Sequence, residues 1–362
     1  MKDLIIIAMT QTITSREFMA KNGNKFDILK FVLAILIVCI HSTKAGMILR
    51  PVFRLAVPLF FMISSYLFFL KQSTLNSKQD KYKGLKKYAK RILLLYLFWF
   101  LLLLPFTIYY REWYINFDHE KLITIARSFF FGSTFIASWF LMASLIGVTI
   151  VWVLSQLKVK TSWIIAIGLV IYVFCCIVSN YYSLISSCPR FIVAYNGYTS
   201  IFSLPFNSFP CSILFVGIGK LLAEGLFAPY NKKLFVFLLF SLLGLYIEFF
   251  FTKYYCKVYF DDCYFILPPV CICIFMLIGQ SRPFEIGLNT TKLRSYSTII
   301  YCCHGTLLSW QHIILQDMGI KEPDNIVVLL KFLIAIAVPI ALAELFLFLE
   351  RRCHLRWLRY SH

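Results

Sequence analysis

Long apolar blocks alternate with short polar stretches over most of the chain, and the block at 92–110 holds no charged residue at all. About twenty such residues wound as a helix cross a hydrocarbon layer of ~30 Å. The pattern predicts ten helical spans, at 31–49, 55–70, 92–110, 136–157, 162–179, 207–223, 234–252, 264–281, 296–315 and 326–349. The segment 122–135 mixes Arg127 with Phe129, Phe130 and Phe131 and is expected as a partly buried piece at the outer interface. No internal repeat is visible in the side chains. The expected architecture is an all-α integral membrane protein, a bundle of about ten transmembrane helices. Its parts are a cytoplasmic N-terminal arm (1–30), a membrane domain (31–349) and a basic C-terminal tail (350–362). Residues 1–18 precede a compact leader that begins at Met19 and are expected to be either dispensable or upstream of the true start; they do not have the form of a secretory signal.

Composition excludes a soluble globular chain. Of 362 residues 60% are hydrophobic and 15% charged, with a mean hydropathy of +0.76, and no room is left for a separate soluble domain of ordinary size. The net charge of +19 raises the question of nucleic acid, but the distribution of basic residues answers it. The segments that would face inward carry 24 Lys and Arg and those that would face outward carry 9. That asymmetry places both termini in the cytoplasm. It accounts for the charge without a nucleic-acid partner. Of the twelve cysteines, Cys39, Cys175, Cys176, Cys211, Cys271, Cys273, Cys302 and Cys303 fall within spans, where a thiol behaves as a small apolar group. Cys256 and Cys263 share an outer loop and Cys188 lies in another, which leaves one extracytoplasmic disulfide open. No metal-ligand spacing is present, and no metal is expected.

Ionisable groups inside spans are costly and mark candidate sites. Lys30 and His41 stand eleven residues apart, three turns plus about 20°, so they share a helix face and are separated by about 16 Å. The span boundaries put Lys30 at the cytoplasmic edge and His41 near mid-membrane. An imidazole there can move a proton between a hydroxyl and a leaving group, or it can be a neutral, hydrogen-bonded packing residue. His304 poses the same choice in the ninth span, three residues after Tyr301 and on its face; taken alone, packing is its commoner role. Pro58, Ser64 and Ser65 in the second span suit close helix approach. Lys87, Lys90 and Arg91, ahead of the third span, can be topology signals, an anionic-lipid contact or a phosphate-binding cluster. Glu248 lies near the outer end of the seventh span. The outer-loop residues Tyr181, Tyr182, Tyr195, Tyr198 and Tyr259, with Asn196, Asp261 and Asp262, offer sugar-stacking and hydrogen-bonding groups, although interfacial aromatics commonly serve as anchors.

Taken in order, these residues resemble the membrane-bound acyltransferase family 3. Lys30, ten positions and His41 match its first-span pattern. The run Val57-Pro58-Leu59-Phe60-Phe61-Met62-Ile63-Ser64-Ser65-Tyr66 is similar to its second span, with Ser65 where Gly is usual. Lys87, Lys90, Arg91, Ile92 and Tyr96 resemble its basic motif, with Leu94 in place of Pro. Trp139-Phe140-Leu141, Ser295-Tyr296 through Tyr301 and His304, and Glu350-Arg351 continue the series. The resemblance implies transfer of an acyl group, usually acetyl, from cytosolic acetyl-CoA or another acyl-CoA to a hydroxyl of an extracytoplasmic or lipid-linked glycan. That implies a cell-envelope modifying enzyme, expected in a bacterial cytoplasmic membrane among lipids.

On this reading His41 is general base or acyl carrier and Lys30 anchors the donor or tunes His41. Lys87, Lys90 and Arg91 would bind the coenzyme A phosphates, and Ser64, Tyr301, His304, Trp139 and Glu248 are further pocket candidates. Lys rather than Arg at position 30 loses bidentate phosphate geometry. The competing reading is a transporter or flippase for a saccharide or small polar solute, its path lined by His41, His304 and Glu248. A scaffold for a glycan-synthesis complex is a third, disfavoured by the histidines within spans.

Overall fold

A computed structural model of the chain describes residues 15–42, 48–115, 118–225, 232–256, 261–280, 289–320 and 324–362. Most of the segment 1–18, singled out above, lies outside the described residues. Among the described residues the regular structure is entirely helical. In chain order the helices are α1 (Ser15–Ser42), α2 (Arg50–Phe53), α3 (Ala56–Ser73), α4 (Lys78–Leu102), α5 (Leu104–Tyr110), α6 (His119–Phe131), α7 (Trp139–Gln156) and α8 (Thr161–Val178). There follow α9 (Tyr182–Ile185), α10 (Pro189–Ile201), α11 (Phe209–Ala223), α12 (Lys232–Tyr255), α13 (Leu267–Gln280), α14 (Thr290–Asp317) and α15 (Asn325–Arg352).

Five stretches are each long and apolar enough to cross a membrane: Arg50–Ser73, Trp139–Gln156, Thr161–Val178, Lys233–Tyr255 and Asn325–Arg352. Two bent pairs raise the number to seven. One is Lys78–Leu102 with Leu104–Tyr110, bent by 64°, and the other is Pro189–Asn207 with Phe209–Ala223, bent by 42°. The chain is therefore a multi-pass helical membrane protein. The ten spans expected from the sequence exceed this number for a physical reason. Helices α1 and α14 are 28 residues long but exchange hydrocarbon for the polar groups that face one another between them, and α13 has only 14 residues. The first break has its cause in the sequence, since Pro105 at the start of α5 has no N–H to continue the ladder of α4.

Local signals set other boundaries. Ser77 caps α4 by accepting from the Asp80 amide at 2.9 Å, and Asp118 caps α6 by accepting from the Lys121 amide at 2.8 Å. Helix α6 has no buried residue. Its Arg127 donates to the carbonyls of Thr199 and Ser200, which ties the segment 122–135, expected to be partly buried, to α10. The centre of the bundle is α3 against α11, both mostly buried. They approach closely because Gly219 faces Ser65: a Cβ at 219 would lie 2.0 Å from Ser65 Oγ and 2.6 Å from the Met62 carbonyl oxygen. Ser64, one residue earlier, is half-buried. Helices α12 and α15 leave most of their apolar surface uncovered, as a lipid-facing sheath requires. The C-terminal tail folds back, with Trp99 Nε1 donating to the Ser361 carbonyl at 2.9 Å. All twelve cysteines are free thiols, and Cys263 lies 3.8 Å from Cys211 rather than bonded to Cys256.

Candidate active site

Three cross-helix pairs run up the seam between α1 and α14. At one end Arg294 grips Asp27 with two prongs, Nε to Oδ1 at 3.0 Å and Nη2 to Oδ2 at 2.7 Å. Next, the rings of Phe31 and Tyr296 lie 6.3 Å apart. Beyond them the imidazoles of His41 and His304 have centroids 5.3 Å apart. Residue numbers increase together on both helices, so α1 and α14 run parallel. Two histidines distant in sequence thus share one place.

The two differ in setting. His304 is fully enclosed, at 0% exposure. Its Nδ1 lies 2.7 Å from the Tyr301 carbonyl oxygen and 3.2 Å from that of Ile300. A carbonyl requires a donor, so these contacts assign the ring proton to Nδ1 and leave a lone pair on Nε2. That Nε2 has no partner among the described residues. His41 lies in the last described turn of α1. Its ring is surface-accessible although surrounded by protein, the setting of a group that lines an opening. The charges of Arg54, Arg50 and Asp261 lie within its electrostatic reach.

The Asp27 end of the seam is cationic. Lys30 lies within electrostatic reach of Asp27, Arg294 and Arg91. Three positive groups from α1, α4 and α14 thus lie within reach of one another, two of them, Lys30 and Arg294, also of Asp27. Lys87 and Lys90, the other two residues of the basic motif, are exposed on α4. Arg294 was absent from the residues singled out in the sequence. Its signal was its position immediately before Ser295-Tyr296, level with the start of the apolar block, where a basic residue reads simply as a topology signal.

Beyond His41 a narrow crevice is lined by Ile40, Arg54, Pro58, Trp139, Asn207 and Asp262, among others. Ion pairs close one side of it. Arg54 bonds Asp262 at 2.6 Å and also Asp261, which Arg50 grips as well. Burial alone would raise Asp261, but Arg54 and Arg50 hold its carboxyl below the usual aspartate value. Burial dominates at Asp262 and raises it, against the pull of Arg54. These aspartates, read above as sugar-bonding groups, are paired with arginines. Opposite charges in the short stretches 43–54 and 253–263 were the available signal.

The remaining candidates have defined partners. Tyr301 donates to the Ala137 carbonyl. That residue has φ of +66°, a conformation that non-glycine residues adopt only when held. The turn leads directly into Trp139, which borders the crevice. Tyr96 supports the same turn through Thr134 Oγ1 at 2.8 Å. Glu248 accepts from the amides of Phe265 and Ile266 at 2.7 and 2.9 Å and from the Tyr181 hydroxyl at 2.9 Å. Its carboxylate and Tyr181 fasten the approach to α13. Among the described residues no group of three or more His, Cys, Asp or Glu could hold a metal ion.

Residues 24–344 match the family model described as an acyltransferase domain. The match covers most of the chain, and the protein belongs to acyltransferase family 3. Among curated proteins it is similar to two described as amino-acid racemases from Enterococcus faecalis. One is 25% identical over 351 residues, 92% of this chain and 47% of that protein. The other is 27% identical over 315 residues, 82% and 42%. A serine/alanine racemase from Enterococcus gallinarum is 26% identical over 347 residues, 92% and 47%. The chain thus spans less than half the length of these relatives. No solved structure matches it.

Proposed function

Because the chain is a member of acyltransferase family 3, we propose that it is an O-acyltransferase of the bacterial cytoplasmic membrane with both termini inside. It moves an acyl group, most simply acetyl, from cytosolic acyl-coenzyme A to a hydroxyl of an extracytoplasmic or lipid-linked glycan. The observation that carries this reading is the seam between α1 and α14. A cationic cluster of Lys30, Arg91 and Arg294 stands at one end, and the His41–His304 pair stands about 16 Å along the helix at the other. The cluster suits the donor's phosphates, and its extended arm would carry the thioester towards the imidazoles. Lys87 and Lys90 would add longer-range attraction from the surface.

In the proposed step His41 takes the proton of the acceptor hydroxyl as that oxygen bonds to the acyl carbon. The carbon–sulfur bond then breaks, and the thiolate leaves with the proton returned from His41. Purified protein in lipid nanodiscs, supplied with acetyl-coenzyme A and envelope saccharides, tests this by release of free coenzyme A and by acyl label on the saccharide. His41→Ala should abolish both while retaining coenzyme A binding. Full turnover in that variant would remove His41 from the chemistry.

One observation favours a second reading, passage of a small polar solute. The crevice beyond His41 presents an arginine and an aspartate together, and the relatives are named for amino acids, which carry the complementary pair of charges. Uptake of labelled serine or alanine into proteoliposomes without acyl-coenzyme A would support it. Coenzyme A-dependent labelling without uptake would exclude it.

A further inference from the structure

Ser42, His304 and Gln311 hold buried polar atoms that bond to nothing among the described residues: Ser42 Oγ, His304 Nε2, and both Nε2 and Oε1 of Gln311. A buried amide with neither end satisfied calls for an explanation. Place supplies one. Gln311 follows His304 by seven residues on α14, about 20° short of two full turns, so the two share a face about 10 Å apart along the axis. Leu308 lies between them and is buried. Ser42 follows His41 directly, at the last residue of α1. The unsatisfied groups on this face therefore begin at the paired imidazoles and continue along α14 away from the cationic cluster, while Thr306 Oγ1, also unsatisfied, points to another face about 200° round from His304. Water can satisfy any one of them, but no single water spans about 10 Å.

We propose that Gln311, with Ser42 and the Nε2 of His304, forms the acceptor subsite of the reaction described above, and that it takes a neutral, hydroxyl-rich ligand, a saccharide. The proposal rests on the acyltransferase reading. The chemistry of the groups selects the class of ligand. An amide offers a donor and an acceptor, a serine hydroxyl offers both, and the imidazole Nε2 offers an acceptor. None of them supplies a fixed charge to meet a carboxylate or an ammonium. Sugar hydroxyls, each both donor and acceptor, satisfy such a set. A hydroxyl held at His304 Nε2 would lie beside His41, which takes its proton in the proposed step.

The test compares the native protein with Gln311→Leu in nanodiscs. It uses labelled acetyl-coenzyme A and, as acceptor probe, chemically de-O-acylated envelope saccharides from the expressing cells. Coenzyme A release is measured with and without the saccharide. The expected result is at least a tenfold rise in the saccharide concentration needed for half-maximal labelling. Thermal unfolding should occur no lower than in the native protein, because the substitution removes unsatisfied groups rather than made bonds. Should Gln311→Leu not fold, Gln311→Asn and Ser42→Ala serve the same comparison. An unchanged saccharide dependence in a folded variant overturns the subsite while leaving the acyltransferase reading intact. Native protein that releases coenzyme A but never labels saccharide overturns the class of ligand. Native protein that releases none under any condition overturns the acyltransferase reading and the subsite with it.

Discussion

Asp27 is 4% exposed and is held by two nitrogens of Arg294, 267 residues away, at the foot of the helix pair that brings His41 to His304. The pair fixes the register of α1 against α14, and so the distance between the cationic cluster and the imidazoles. Asp27→Asn should lower stability by about 1.5–3 kcal/mol, the range for a hydrogen bond to a charged group. The lower half of that range applies because Arg294 is half open to solvent. Thermal unfolding in detergent measures it. Coenzyme A binding should not weaken, since the substitution removes a negative charge beside the cluster.

Donor recognition should depend on Lys30 and Arg294 more than on Lys87 or Lys90. The first two converge with Arg91 at the seam, whereas the exposed lysines are screened by salt. Lys30→Ala should raise the donor KM at least tenfold, with the defect persisting at high salt, and Arg294→Ala should raise it too, with part of the effect screened because Arg294 is half open to solvent. Lys87→Ala and Lys90→Ala should each change it less than threefold and mainly at low salt. Equal losses across all four would show that the phosphates bind on the surface of α4.

Gly219 permits the closest approach in the core. Gly219→Ala would press a methyl group into Ser65 Oγ and the Met62 carbonyl, at a cost of about 1–3 kcal/mol. Adding Ser65→Gly, the residue usual in the family at that position, should recover part of the loss but not all, because the backbone carbonyl remains. A double variant no better than Gly219→Ala would show that the carbonyl alone sets the spacing.

The outer clasp should open in acid in two steps. Asp262 stands above the usual aspartate value because of burial and takes its proton first, which relieves its desolvation. Asp261 stands below, held by Arg54 and Arg50 against burial. Its contribution is present above the unfolded value and is lost as pH falls through its lower folded value. Stability of the 261–264 loop, followed by amide exchange, should therefore decline only below about pH 4. Asp261→Asn should remove that dependence. A native protein whose loop loosens near neutrality would contradict it.

Much was legible in one dimension. Apolar blocks about as long as a bilayer is thick gave most helices within a few residues, because hydrocarbon leaves the backbone no partner but itself. Lys30 with His41 could be placed on one face by helical period alone, whereas the break at Pro105 fell inside what was read as a single span at 92–110. The motifs from Lys30 to Glu350 pointed to the acyltransferase family that the match over residues 24–344 bears out.

Only the fold decided what meets what. Helix period relates residues a few turns apart and says nothing across 263 positions, so the pairing of His41 with His304 and the entry of Arg294 beside Lys30 were invisible. The same limit hid the binding of Asp261 and Asp262 to Arg50 and Arg54, which lie at α2 some 210 residues earlier. Hydropathy also counts a polar residue as a cost wherever it stands. The polar seam of α1 and α14 therefore weakened the very spans it distinguishes, and tertiary packing alone turned that cost into a site.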